Sequence, residues 1–443
     1  MAQLPPGPSV RLLQTYHYLR DPYTYLERLR DRYGDVFTIP GVNGTVVMAC
    51  SPSSAQQVFT ADPDTYLPFG VDALGPLIGD KSLLLLSGAR HRRERKLLMP
   101  AFHGDRMRAY GETIRAAAHA AAARWSEGQT FPFQDSSQWI SLEVIIRSVF
   151  GVTEPARVDA VRGAILEFVG ATSPATLYFP FLQRPLFPPW QRFQRAKQRL
   201  RLLLLTEIAA RRSRPEEAGG DILSRMLAAR HEDGTAMSED ELHDELVTLL
   251  IAGHETTGIA LAWAIYWLLR DRTCLERLLA ELDAAGDRPD PETLVRLPYL
   301  DGVVHETLRL YPIAPDARRL LGRPLEIGGY TLPAGISVAV SIAALHVRPD
   351  LYPDPQRFDP QRFIDRKFTP FEYTPFGGGA RRCLGAAFAT YEMKIVLATL
   401  LKHHRLSLAE RGEVKPGRRN VVLGPSTGVR VTYDGPRERT PAA

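Results

Sequence analysis

Apolar and polar positions follow two different periods along this chain. From about Ser87 to Leu279 apolar residues recur every three or four positions, with alanine, leucine and arginine dominating. That period predicts a run of helices. The longest apolar stretch, Leu246 to Leu269, is long enough to span a bilayer. His254 and Glu255 interrupt it near the middle, flanked by Thr256 and Thr257. A charge at that depth is costly in lipid, so the stretch reads as a buried helix. Ser238-Glu239-Asp240-Glu241 matches a capping box in front of it. The helix should therefore run over about 238–270. At about 1.5 Å per residue that is roughly 48 Å, enough to cross the whole molecule.

Short segments with other signals flank this block. Val36 to Ile39 and Thr45 to Met48 surround Asn43-Gly44, a hairpin turn signal. Leu325 to Ile327, Gly328-Gly329 and Tyr330 to Leu332 read as strand, turn, strand, followed by a strand over Ile336 to Ile342. Asp301 to Tyr311 reads as a short helix stopped by Pro312. An irregular proline-rich meander, Arg348 to Thr374, leads into a glycine-rich loop and a helix from about Leu384 to His403. Val421 to Val431 reads as a closing hairpin. The expected fold class is mainly α with small β-sheets. The best candidate for a linker, Arg212 to Gly220, reads as a surface loop, so one domain over 1–443 is expected.

Composition removes several function classes. Of 443 residues, 44% are hydrophobic and 24% charged, which is ordinary globular material. The three cysteines, Cys50, Cys274 and Cys383, argue against a disulfide framework and for a reducing compartment. Met1 to Val10 has no apolar run, so no signal peptide and a cytoplasmic location are expected. Pro5, Pro6 and Pro8 suggest a stiff extended arm. The net charge of +5 is mild and spread out. It lacks the clustered basic face and interleaved aromatics of a nucleic-acid binder, and fits a modest patch for an acidic protein partner.

The most telling segment is Phe376-Gly-Gly-Gly-Ala-Arg-Arg-Cys-Leu-Gly385. Cys383 stands just before an apolar helix, where free backbone N–H groups and the helix dipole favour a thiolate. Arg381 and Arg382 add positive charge, and the expectation is a lowered thiol pKa. The glycines let backbone approach the sulfur. A multi-cysteine zinc site is a poor fit without a second nearby thiol. A nucleophilic cysteine with a distant histidine base stays open on these residues alone.

The segment resembles the haem-binding loop of the cytochrome P450 family at every fixed position: Phe376, Gly379, Arg381, Cys383 and Gly385. Three further patterns follow in the right order. Glu306 and Arg309, three apart on the short helix, resemble the family's Glu-x-x-Arg pair, with Arg362 of the meander as third partner. Ala252-Gly253-His254-Glu255-Thr256-Thr257 resembles its oxygen-activating helix segment. His91 and Arg95, one turn apart, resemble its propionate clamp.

The resemblance implies a single P450-type fold and a haem b whose axial ligand is the Cys383 thiolate. It implies that Arg381, His91, Arg95 and Arg319 pair the propionates, with Arg318 as a rival to Arg319, and that Phe376 shields the sulfur. Glu306, Arg309 and Arg362 would brace the loop. Thr256 would stabilise bound dioxygen and Glu255 would feed it protons. Ala252 should touch haem or substrate, and Gly253 should leave room beside Thr256, where back-bonding could open the helix.

Family members line their pockets with segments that here hold Phe69, Leu74, Leu177, Phe179, Ala252, Ala314, Pro315 and Leu423. Most are apolar, which suits a terpenoid, steroid or fatty-acid-like substrate. No flavin or iron–sulfur domain is expected beside such a fold in 443 residues. Electrons from NAD(P)H would arrive through a ferredoxin or flavodoxin and its reductase. Docking is expected at Arg382, Lys394, Arg92, Arg93 and Lys96. A monomer is expected. Two other readings compete with a monooxygenase: a haem-thiolate sensor, and peroxide-driven or isomerising chemistry. Both lack a need for the Glu255–Thr256 pair.

Overall fold

The computed structural model of the chain describes residues 4–102, 107–173, 176, 179–213, 220–419 and 422–438. Leu177, Val421 and most of the loop expected over Arg212 to Gly220 lie outside them. The N-terminal region gives helices α1 (Arg11–Arg20) and α2 (Pro22–Tyr33), strands β1 (Val36–Gly41) and β2 (Gly44–Ala49), helix α3 (Pro52–Thr60) and the short strand β3 (Tyr66–Leu67). The helical block follows as α4 (Val71–Ile78), α5 (Gly88–Leu98), α6 (Arg108–Ala122), strand β4 (Thr130–Pro132), α7 (Phe133–Phe150), α8 (Pro155–Ala171), α9 (Pro188–Ser213) and α10 (Ile222–Ala228). Then come α11 (Glu239–Arg270), α12 (Arg272–Ala284), α13 (Pro291–Val295) and α14 (Pro298–Leu310).

The last third opens with β5 (Ala317–Leu321), β6 (Leu325–Ile327), β7 (Tyr330–Leu332) and β8 (Ser337–Val340). It continues through α15 (Ile342–His346), α16 (Arg362–Asp365) and α17 (Ala386–His403), and ends in β9 (His404–Leu408), β10 (Pro416–Arg419), β11 (Val422–Pro425) and β12 (Arg430–Pro436).

Helix α11 organises the rest. Ser238 caps it, and Glu241 returns a hydrogen bond to the Ser238 backbone, which satisfies two of the free N–H groups at this end. Most of its apolar stretch is buried inside the protein. The main core forms around it, from side chains of α6, α7, α8, α14 and α17 as well as its own. Close approach of α7 depends on two glycines. A Cβ on Gly253 would lie 2.8 Å from Ile145 Cδ1, and one on Gly258 would lie 3.0 Å from the Gln138 backbone. Gly253 therefore makes room for α7. The helix runs unbroken past Thr256, without the local opening anticipated.

A five-stranded sheet, β1-β2-β8-β5-β3, covers the other side. Only β2 and β8 pair in parallel. Two smaller apolar clusters lie against it. The first hairpin turns one residue earlier than its signal: Gly41 pairs with Gly44, so Val42-Asn43 form the turn. The proline arm is docked along β1, where the Thr38 N–H and hydroxyl donate to the Pro6 and Pro5 carbonyls at 2.9 and 2.7 Å.

The closing segment departs from expectation. β11 pairs with β10, whereas β12 pairs with β9 and β4 in a different sheet. Residues 422 to 431 therefore link two sheets. Period-2 alternation marks strands but does not choose their partners.

Candidate active site

Three elements bring the cysteine into place. The loop before α17 turns at Gly377 and Gly379, both in the left-handed region. A Cβ on Gly379 would strike the Phe59 carbonyl oxygen of α3 at 2.1 Å. The Cys383 N–H donates to the Phe376 carbonyl at 2.9 Å, closing the loop. The Cys383 side chain keeps open surface, yet protein surrounds it closely enough for burial to dominate its ionisation. Burial pushes the thiol up, against the anticipated direction. The Gly385 N–H, Arg95 and Arg382 pull it back down without prevailing. A bound cation would supply the missing stabilisation of the thiolate.

Arg381 is not among the groups that act on this sulfur. It donates to the carbonyls of Leu84 (3.2 Å) and Leu86, tying the loop to the segment before α5. From there it joins a cluster. His91 of α5, Arg319 of β5, Gly378 and Arg381 line one recess. Burial and the charges of Arg381, Arg95, Arg319 and Arg92 lower His91 to about 4. Burial and Arg381 bring Arg319 down to about 10. Arg381 and Arg95 are also lowered, burial first in each case. Every charged neighbour that shifts His91 is an arginine. Such a gathering of arginines fits a bound di-anion.

Arg318 does not take part. Strand alternation turns it to the opposite face of β5 from Arg319. There Asp316 accepts from its Nε at 2.8 Å and the Tyr18 ring stacks beneath it.

Glu306 and Arg309 are fully buried on α14. Arg309 grips Glu306 with two bonds, 2.6 and 2.7 Å, and also donates to the carbonyls of His346 and Pro355. Arg362 Nε reaches the same carboxylate at 3.3 Å, and the Asp359 N–H donates to it at 2.9 Å. One member escaped the sequence reading. His346 accepts from the Thr374 N–H at 2.8 Å through Nε2, which leaves Nδ1 to donate to the Arg309 carbonyl at 3.2 Å. Burial first, then Arg309, lowers His346 to about 3, so it stays neutral. Thr374 in turn accepts from the Gly377 N–H. His346 thus carries the brace to the cysteine loop. Its position, 37 residues past Arg309, gave no local signal.

On α11, the Thr256 hydroxyl donates to the Ala252 carbonyl at 2.5 Å, the back-bond expected of a mid-helix threonine. Both residues retain open surface. Glu255 is buried, and with His254, Asp135, Gln138 and Arg162 it lines a cavity of about 400 Å³ between α7, α8 and α11. Burial holds His254 neutral, near 4.

The expected pocket residues divide. Phe69, Phe179, Ala252 and Ala314 are exposed, and Leu74 and Pro315 half-buried. Leu423 is 1% exposed and is a core residue instead. The expected docking patch is largely compensated. Arg92 pairs with Asp64, Arg93 with Asp233, Lys96 with Glu232 and Lys394 with Asp301. Arg382 is exposed.

Comparison with known proteins identifies the family. The cytochrome P450 family model matches residues 3–431. Two curated relatives from Mycobacterium tuberculosis are putative cytochrome P450 135B1, 37% identical over 98% of this chain and 92% of that protein, and putative cytochrome P450 138, 35% identical over 97% and 96%. Among solved structures, the retinoic acid-bound cyanobacterial CYP120A1 superposes with a TM-score of 0.85 at 28% identity, covering 98% of this chain and 99% of that one. The cytochrome P450DA heme domain gives 0.87 at 25%, covering 100% and 99%. The chain belongs to the cytochrome P450 family. It is a haem-dependent monooxygenase that uses dioxygen, and its family draws on redox partner proteins and apolar substrates.

Proposed function

We propose that this monooxygenase hydroxylates an apolar molecule of terpenoid, steroid or fatty-acid type, with Cys383 as the thiolate that would hold the haem iron. The observation that carries the reading is the convergence of His91, Arg95, Arg319 and Arg381 beside an open thiol. Arginines around a neutral imidazole suit two propionates, and the thiol suits the iron. A thiolate-ligated haem supplies dioxygen activation and transfer of one oxygen atom to a C–H bond.

The residues around it do the rest. His91, Arg95, Arg319 and Arg381 would anchor the haem's acidic edge, and Phe376 would cover the sulfur. The Thr256 hydroxyl, already aimed along α11, can turn from the Ala252 carbonyl to hold a water on the oxygen side. Glu255 takes protons from its cavity and passes them toward Thr256 as a general acid. Ala252 and the exposed apolar side chains exclude bulk water and face the substrate. One relative in fold carries retinoic acid, an elongated apolar carboxylate, so isoprenoid acids belong among the candidates. Electrons would come from NAD(P)H through a ferredoxin or flavodoxin and its reductase. The chain would act as a single-domain cytoplasmic monomer.

The test is optical. Reduced protein under carbon monoxide should give the red-shifted Soret band of a thiolate-ligated haem, and Cys383→Ser should abolish it. Retention of the band in that variant would sink the ligand assignment. Titration with isoprenoid acids, steroids and fatty acids should give a low-to-high-spin shift for one class. A response to none of them would overturn the substrate reading.

A further inference from the structure

The cysteine loop starts from Thr374, and the backbone is what fixes that residue. Thr374 is 1% exposed, and its hydroxyl has no hydrogen-bond partner among the described residues. Its N–H donates to His346 Nε2 at 2.8 Å, and its carbonyl accepts from the Gly377 N–H at 2.9 Å. The second bond closes a turn over Thr374 to Gly377, with Gly377 in the left-handed region. Phe376 lies inside that turn, and its carbonyl takes the Cys383 N–H at 2.9 Å. Three hydrogen bonds and one short turn therefore join the His346 ring to the cysteine backbone.

His346 has little freedom of its own. It is fully buried at the end of α15. Arg309 Nη1 donates to its carbonyl at 2.8 Å, and its Nδ1 donates back to the Arg309 carbonyl at 3.2 Å. The ring stacks on Tyr373, with centroids 5.3 Å apart and planes at 20°, and meets the Tyr352 ring edge-on at 6.3 Å. An N–H can only donate and a carbonyl can only accept, so the two partners fix the tautomer. Protonation would remove the acceptor that Thr374 uses and set a cation beside Arg309. A side chain that only filled the space between Tyr352 and Tyr373 would need neither nitrogen.

We propose that His346 is a positioning residue for the iron's ligand: by fixing the turn over 374–377 it sets the direction of the Cys383 sulfur, and so how strongly the thiolate donates to the iron. This role rests on the reading of Cys383 as that ligand, and it goes beyond keeping the loop folded. The hydrogen bonds behind an axial ligand tune a haem's potential. A role in folding alone would leave spectrum and potential where they are.

Three substitutions in the haem-loaded full-length chain grade the two bonds. His346→Gln can accept from Thr374 and donate to Arg309 together. His346→Asn, one carbon shorter, reaches one partner at a time. His346→Phe keeps a ring between Tyr352 and Tyr373 and makes neither bond. In the reduced carbon monoxide complex, the Phe variant should lose the red-shifted band about tenfold faster than wild type, as one net hydrogen bond predicts. A thiolate that donates less makes the iron easier to reduce, so the ratio of reduced to oxidised haem at a fixed potential should rise about tenfold. Gln should restore both readings to within about twofold of wild type, with Asn between. Ile165→Ala in the buried face of α8 is the comparison: it should lower the melting temperature and leave both readings unchanged. A Phe variant that melts lower but keeps wild-type spectrum and potential would overturn the proposal, as would a Gln variant no better than Phe. If His346→Phe yields no folded protein, equal readings in Gln and Asn would overturn it. These outcomes are read in protein that shows the red-shifted band, so they sink the positioning role alone, whereas a band retained in Cys383→Ser sinks the ligand reading.

Discussion

Two charged clusters hold the cysteine loop, and they are built on opposite plans. The Glu306–Arg309–Arg362 brace sets a buried carboxylate between two guanidiniums and is bonded on nearly every face. Its backbone acceptors are the carbonyls of Asp354, Pro355 and Arg357 in the meander and of His346 in α15. The His91–Arg95–Arg319–Arg381 cluster gathers like charges in a recess. Arg319 and Arg381 donate to backbone carbonyls, which offset part of the cost but carry no full charge. The brace is complete within the chain. On the proposed reading, the haem propionates complete the cluster. Charges gathered for stability come with their counter-ions, and charges gathered for a ligand do not.

Breaking the brace should have the largest effect. Arg309→Ala leaves the Glu306 carboxylate buried with only part of its pairing, which costs about 3–5 kcal/mol. Denaturant titration should show that loss, with little protein accumulating in folded form. A variant of wild-type stability would remove the brace from the account.

The same kind of change in the cluster should act differently. Arg319→Met removes a like charge, so stability of the haem-extracted protein should hold or rise. Haem retention should weaken by roughly 10- to 150-fold, as expected when a charge-assisted bond of about 1.5–3 kcal/mol is lost. Haem transfer to an apoglobin acceptor measures the second effect, and a thermal melt the first. Equal loss of both would make Arg319 a structural residue.

The smallest effect is a slope with pH. His91 titrates near 4 in the fold against 6.5 in an open chain. Between those values the unfolded chain binds a proton that the folded one refuses. Its contribution to stability is therefore full above pH 6.5 and fades as pH falls toward 4. After screening, the change should be about 1 kcal/mol in haem-extracted protein. His254 and His346 add slopes of the same sign, so the reading is the difference between wild type and His91→Gln. Identical slopes would show that His91 is not the group responsible.

Much of this site is legible in the chain because the chemistry is local. The capping box at Ser238, the Thr256 back-bond, the Glu306–Arg309 pair and the glycine loop all act within a few residues, and spacing alone reveals them. His346 is different. Its value lies in touching Arg309 and Thr374 at once, across 37 and 28 residues. Arg318 and Arg319 look alike in the sequence, and only the facing of β5 separates them. The direction of the Cys383 shift is hidden from the sequence for a related reason. Favourable dipoles and arginines are written there, whereas burial is a property of the surroundings.

The sequence by itself determined the helical block, the long helix through its centre, the family and the set of residues that could serve a haem thiolate. Those rest on periodicity and on short motifs, which need no partner from elsewhere in the chain. Tertiary structure decided the rest. It assigned the strands of the last segment to two sheets and turned Leu12 and Leu13 of α1 outward. It also neutralised the expected docking patch with Asp64, Glu232, Asp233 and Asp301. Pairing, burial and charge balance depend on what lies opposite, and that is settled only when distant segments meet.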